Sequence, residues 1–99
     1  MKVRNLDEIK TIIVGEKELL SNKYAVSKIG IFGSFSFGDF TKNSDIDILV
    51  DFKKSIGLFK FVELEDYLSE KMGRKVDLVS KDGLKKYLKK DILNSTIYA

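Results

Sequence analysis

Apolar residues at Leu6, Ile9, Ile12, Ile13, Leu19 and Leu20 recur at helical spacing, which predicts an amphipathic helix over residues 6–21. Asn5 followed by Glu8 has the form of a capping box at its start, and Gly15 is a mild penalty at mid-span. Residues 26–32 are short, β-rich and apolar toward their end, so they read as a strand that stops at Gly33. Turn formers then fill residues 33–44, a loop or a short helix. Residues 45–52 alternate with period two, a second strand, and 53–57 form a loop. Leu58, Phe61, Leu64, Leu68 and Met72 return to helical spacing, with Gly73 where a left-handed cap belongs. Residues 75–79 make a third strand, closed by Ser80, Asp82 and Gly83. A last helix from Leu84 sets Leu84, Tyr87, Leu88 and Ile92 on one face, with Lys85, Lys86, Lys89 and Lys90 largely on the other.

The order α-β-β-α-β-α predicts a two-layer α/β (α+β) plate, a small mixed β-sheet backed by helices. The second strand, its helix and the third strand form a right-handed crossover, which makes those two strands parallel. Ninety-nine residues are the length of one domain, and residues 1–99 are expected to form a single one.

Composition narrows the chemistry. The chain has no Cys and no His. Thiolate sites, disulfides, imidazole bases and Ser-His-Asp triads are thereby excluded. What is left is carboxylates, Lys, Tyr, hydroxyls, backbone dipoles or a hard metal on oxygen ligands. A net charge of +3 is weak evidence for an anionic partner. No apolar run reaches the ~20 residues of a membrane span, and residues 1–5 lead into an amphipathic pattern rather than a signal peptide. A cytoplasmic protein is expected.

Asp45 and Asp47 carry the most information. At i and i+2 on a strand they share a face, about 6.5–7 Å apart, while Ile46, Ile48 and Val50 point the other way. Two carboxylates at that separation repel by roughly 1–2.5 kcal/mol, and Asp is a poor strand residue. A divalent cation between them would account for both costs. Asp77 falls on the matching parity of the third strand and completes a three-carboxylate cluster if the strands are neighbours. Asp51 is about 13 Å further along, too far to share an ion. Oxygen-only ligation favours Mg²⁺ or Mn²⁺. Gly33-Ser34, at the end of the first strand, lets backbone N–H groups and a hydroxyl approach a phosphate. Four aspartates and one lysine leave residues 33–51 at −3, against +6 for the remainder. A polyphosphate bound there needs metal ions.

Gly33-Ser34, Gly38 and Ser44-Asp45-Ile46-Asp47-Ile48, with the later Val76-Asp77-Leu78, resemble the nucleotidyltransferase signature of the DNA polymerase β superfamily. The compact length, the stretch Gly73-Arg74-Lys75 and the tail from Leu84 to Tyr98 resemble its minimal nucleotidyltransferase (MNT) branch. The resemblance implies that Asp45 and Asp47 hold two Mg²⁺ ions and Asp77 the catalytic one. It places Gly33, Ser34 and Ser44 at the nucleotide, with Gly33 and Ser34 on the β- and γ-phosphates of ATP. An acceptor hydroxyl then attacks the α-phosphorus in line and releases pyrophosphate, with Asp77 accepting the proton or orienting the attacking group. The pattern departs at Phe37, where many relatives carry a basic residue before the glycine matched by Gly38; Lys42 or a partner's residue are the available replacements.

So short a chain leaves little room for an acceptor site. The resemblance supplies one in a HEPN-type RNase toxin, whose tyrosine receives AMP from its MNT antitoxin in a type VII toxin–antitoxin pair. Nucleic acid is not expected as the direct substrate. Two alternatives stand beside this: a catalytically weak or inactive MNT module that neutralises its partner by occlusion, and a nucleotidyltransferase acting on RNA. Phe35, Phe37 and Phe40 read as core or interface packing rather than base-stacking groups, and Tyr87 and Tyr98 as packing residues. The lysines of the last helix read as a solvated face. Ile92, Leu93, Ile97 and Tyr98 form an apolar end available to a partner.

Overall fold

Asn5 starts the first helix, α1 (Leu6–Tyr24), by accepting the Glu8 N–H on its side chain at 2.9 Å. The reciprocal half of the capping box is displaced by one residue: Glu8 Oε1 accepts the N–H of Arg4 at 2.7 Å, and its other oxygen takes the Arg4 guanidinium. The helix runs past its expected end because Tyr24, like Leu20, is buried in the core. It stops at Ala25, whose left-handed φ of 56° returns an N–H to Leu20 O. A computed structural model describes residues 2–99. Met1 and the side chains of Lys86 and Tyr87 lie outside the described residues, and with them the expected places of Lys86 on the basic face and of Tyr87 in the packing.

The sheet has the order β3-β2-β1-β4. Strand β1 (Val26–Phe32) pairs antiparallel with β2 (Ile46–Phe52), and β2 pairs parallel with β3 (Val76–Ser80), as the crossover requires. Between β1 and β2 the chain makes one turn of helix, α2 (Ser34–Phe37); between β2 and β3 runs α3 (Gly57–Met72). Gly73 caps α3 at φ 66°, where a side chain would be strained. Residues of α1 and α3 share one core with Ile29 and Ile31 of β1, Ile46, Ile48 and Val50 of β2, and Val76 and Leu78 of β3. The outer edge of β3 is closed by α3: Ser69 Oγ accepts the Val76 N–H and Glu65 Oε2 accepts the Leu78 N–H, both at 2.9 Å.

Three expectations are corrected. Leu58 does not join the inward face of α3 and is 75% exposed, beside Phe59 at 92%. Leu84 is extended and precedes the last helix, α4 (Lys86–Ser95), on which Leu88 is exposed rather than packed. Tyr98, expected as a packing residue, is 47% exposed where Ile97 and Tyr98 form β4, antiparallel to β1 at Ile31 and Gly30. Gly30 makes this possible, since a Cβ there would collide with Thr96 Cγ2.

Candidate active site

The site lies where β1 ends and β2 and β3 begin. Gly33 leaves β1 with φ 71° and ψ −149°, a combination essentially restricted to glycine. A Cβ at Gly33 would collide with Oδ2 of Asp47, so the missing side chain is also what admits the carboxylate. The Gly33 carbonyl accepts from Ser36 N at 3.0 Å and Ser36 Oγ at 2.8 Å, which fixes the turn into α2. Phe35 of α2 is buried and stacks on Phe40 with ring centroids 4.3 Å apart, whereas Phe37 stands 67% exposed. Core packing is therefore the role of Phe35 and Phe40 and not of Phe37.

Asp47 and Asp77 are directly paired in the parallel register of β2 and β3, on the parity opposite the core residues Ile46, Ile48, Val76 and Leu78. Both are half-buried. Burial, then the charges of Asp77 and Asp45, push the Asp47 carboxyl above its ordinary value. Asp45 stands apart from this pair. It precedes the first ladder residue, is exposed, and has Oδ2 4.0 Å from Lys75 Nζ. Among the described residues, no three acidic side chains stand at metal-ligating spacing. The donor chemistry still suits a hard cation: the three aspartates offer only oxygens, and the Gly33 cradle leaves room for a ligand carboxylate. Asp51 lies at the other end of β2 and pairs with Lys81 at 3.9 Å.

Ser34 is half-buried at the head of α2. Ser44 uses its hydroxyl locally, accepting the Thr41 N–H at 2.8 Å within the 41–44 turn that leads to Asp45. Lys42 is exposed on that turn.

Arg74 has no site role in the sequence reading, where it counts only within the stretch Gly73-Arg74-Lys75. Arg74 donates Nε to Val3 O at 2.8 Å and Nη1 to Lys42 O at 2.8 Å, with Thr41 O and Ser44 O at 3.2 Å. Its guanidinium also lies 5.3 Å from the Phe35 ring centroid. The available signal was its type: in a lysine-rich chain it is one of two arginines, and Arg is the side chain for forked, planar contacts.

A mixed four-stranded α+β plate, with a Gly-Ser turn set against paired strand aspartates, has the architecture of a nucleotidyltransferase. The model of the nucleotidyltransferase domain family matches residues 13–99, and the chain belongs to that family. It is 42% identical to protein adenylyltransferase MntA of Thermococcus cleftensis over 98 residues, covering 99% of each chain. Among solved structures, a candidate minimal nucleotidyltransferase superposes with a TM-score of 0.82 at 26% identity, covering 95% of both chains. A toxin–antitoxin structure with AMP-PNP gives 0.75 at 28% identity, over 90% of this chain and 70% of that one. One chain of a structure of tri-AMPylated Shewanella oneidensis HEPN toxin in complex with MNT antitoxin shares the fold, with a TM-score of 0.67 at 22% identity over 91% of this chain and 70% of that one. No helix among the described residues is long and apolar enough to cross a membrane.

Proposed function

We propose that this chain transfers AMP from ATP to a hydroxyl, a tyrosine in the leading reading, of a HEPN-type toxin, and so acts as the antitoxin of a type VII pair in the cytoplasm. The observation that carries the chemistry is the register pairing of Asp47 with Asp77 beside the Gly33 cradle. It sets two strand carboxylates side by side, with that of Asp47 filling the space a side chain on Gly33 would need. Near-full-length identity to a protein adenylyltransferase supports AMP as the group transferred.

Asp45, Asp47 and Asp77 would hold Mg²⁺, with Mn²⁺ as a substitute, supplying charge neutralisation at the triphosphate. Gly33 and Ser34 bind the β- and γ-phosphates through backbone N–H groups and the Ser34 hydroxyl. The acceptor oxygen forms its bond to the α-phosphorus as the bond from that phosphorus to the bridging oxygen of the β-phosphate breaks, and pyrophosphate leaves. Asp77 takes the hydroxyl proton or orients the attacking oxygen. Exposed apolar groups suit a protein acceptor, since Phe59, Leu58 and Phe37 all face solvent.

The test is incubation of the chain with labelled ATP, Mg²⁺ and the toxin encoded beside it. Label should appear on the toxin and vanish with Asp47→Asn. The occlusion reading draws on Phe37, an exposed apolar side chain where the resemblance implies a basic residue in many relatives. Toxin inhibited equally by wild type and Asp47→Asn, with no label transferred, would establish occlusion instead. Transfer of label to RNA in place of the toxin would establish the RNA reading.

A further inference from the structure

We infer that Arg74 is a positioning residue of this site: its guanidinium fixes the 41–44 turn and thereby sets where Asp45 stands relative to Asp47 and Asp77. The inference rests on the nucleotidyltransferase reading above.

Asp45 is the one carboxylate of the three that no strand holds. Its backbone is clamped from both sides by two consecutive residues. On one side, Ser44 O accepts from Arg74 Nη1 at 3.2 Å; on the other, Ile46 N donates to Lys75 O at 2.9 Å. Lys75 also brings its ammonium to 4.0 Å from Asp45 Oδ2. Arg74 and Lys75 lead directly into β3, where Asp77 follows two positions later and pairs with Asp47. The segment 74–77 therefore carries one aspartate of the cluster and positions another. The same guanidinium reaches the Val3 carbonyl and lies over Phe35 of α2, so the turn after Gly33 is braced by the group that braces Asp45.

Lysine cannot do this. An ammonium offers donors from a single point and has no planar face, whereas the observed contacts use two nitrogens in different directions and a ring contact. Residues that orient metal-binding side chains from behind typically change metal affinity about 10–100-fold when replaced.

The test reads Mn²⁺ binding by the full chain without nucleotide or toxin, from the electron paramagnetic resonance signal of free Mn²⁺. Arg74→Ala and Arg74→Lys should each weaken binding at least about 10-fold at a temperature where circular dichroism shows them folded. Millimolar methylguanidinium should restore much of the Arg74→Ala loss, and methylammonium should not. Adding Asp45→Asn to Arg74→Ala should cost less than Asp45→Asn costs in the wild type, because the two act on one ligand. If Arg74→Ala fails to fold, the lysine variant decides. Binding by Arg74→Lys within twofold of wild type, or strict additivity with Asp45→Asn, overturns the inference while leaving the nucleotidyltransferase reading intact. A wild-type chain that binds no Mn²⁺ overturns the metal reading and this inference with it.

Discussion

The Asp47 carboxylate occupies the space that a side chain on Gly33 would need, so the glycine that ends β1 and the aspartate that opens β2 are fitted to each other. Gly33→Ala meets two costs at once, a φ of 71° that L-residues rarely adopt and a clash with that carboxylate. Gly38 is the control. Its φ is 80°, but a Cβ there would have no atom within 4 Å. Strain of this kind costs about 1–3 kcal/mol, or roughly 4–24 °C in Tm for a chain of this size. Gly33→Ala should therefore melt lower than Gly38→Ala, and only Gly33→Ala should abolish AMP transfer. Equal losses of Tm would show that Asp47 is not the crowding group.

Asp47 also makes folding pay for its charge at neutral pH. Its carboxyl is pushed upward in the fold by burial, then by Asp77 and Asp45. A carboxyl raised on folding favours the native state below its unfolded pKa, near 3.9, and loses that contribution as pH rises through the folded value. Asp47→Asn, which cannot ionise, should thus be more stable than wild type at neutral pH. The advantage should shrink to nothing as pH falls below about 4. Thermal melts of the two proteins across pH 3–8 test this. Metal-free samples are required, since a bound cation reverses the penalty. In the transfer assay the same variant should lose activity by about 10²–10³-fold or more, the size of ~3–4 kcal/mol of electrostatic stabilisation.

The strands and the carboxylate pair were legible because a period-two pattern reports faces directly. Ile46 and Ile48 against Asp47, and Val76 and Leu78 against Asp77, leave one assignment of sides, and the observed register adds only that Asp47 and Asp77 are opposite. Phase without an end point misled at Leu58. It continues the spacing of Phe61, Leu64 and Leu68, yet it lies a turn beyond Phe61, which already packs edge-on against Phe52 at the last position of β2. No strand remains there for Leu58 to cover. The two-residue β4 is too short to show any period. Its trace in the sequence is Gly30, a glycine inside an apolar strand, the usual mark of a close backbone approach. The role of Arg74 was invisible for another reason: its partners are main-chain carbonyls, which every residue carries.

Glu65 and Ser69 should govern the edge that carries Asp77. They accept the Leu78 and Val76 N–H groups on either side of it, so no incoming strand can use them. Glu65→Ala leaves a partly buried N–H without its acceptor and should cost about 1–3 kcal/mol. Glu65→Gln keeps a carbonyl oxygen within reach and should cost less. Amide hydrogen exchange gives the specific readout: protection at Leu78 should fall in the alanine variant and largely survive in the glutamine one. Loss of protection in both, or in neither, would mean that the side-chain acceptor does not hold this edge.

Phe37 stands where the family resemblance leads one to expect a basic residue, and its exposure leaves the position open to substitution. At 67% exposed it contributes little packing, so Phe37→Arg should change stability by less than about 0.5 kcal/mol. Position 37 closes the short helix that starts from the Gly33-Ser34 turn, one residue before Gly38 turns the chain. With the triphosphate on the Gly33-Ser34 turn, as proposed, a guanidinium introduced there is expected to reach it. Charge-assisted hydrogen bonds are worth about 1.5–3 kcal/mol when formed, and solvent screening at an open site cuts this to roughly 1 kcal/mol. KM for ATP should then fall about fivefold with kcat little changed, since the added contact is uniform between ground and transition states. Salt should weaken the gain, because an exposed cation is screened within about 10 Å at 0.1 M ionic strength. A KM unaltered in a folded, active variant would place position 37 away from the phosphates, and Lys42 on the neighbouring turn would be the next cation to remove.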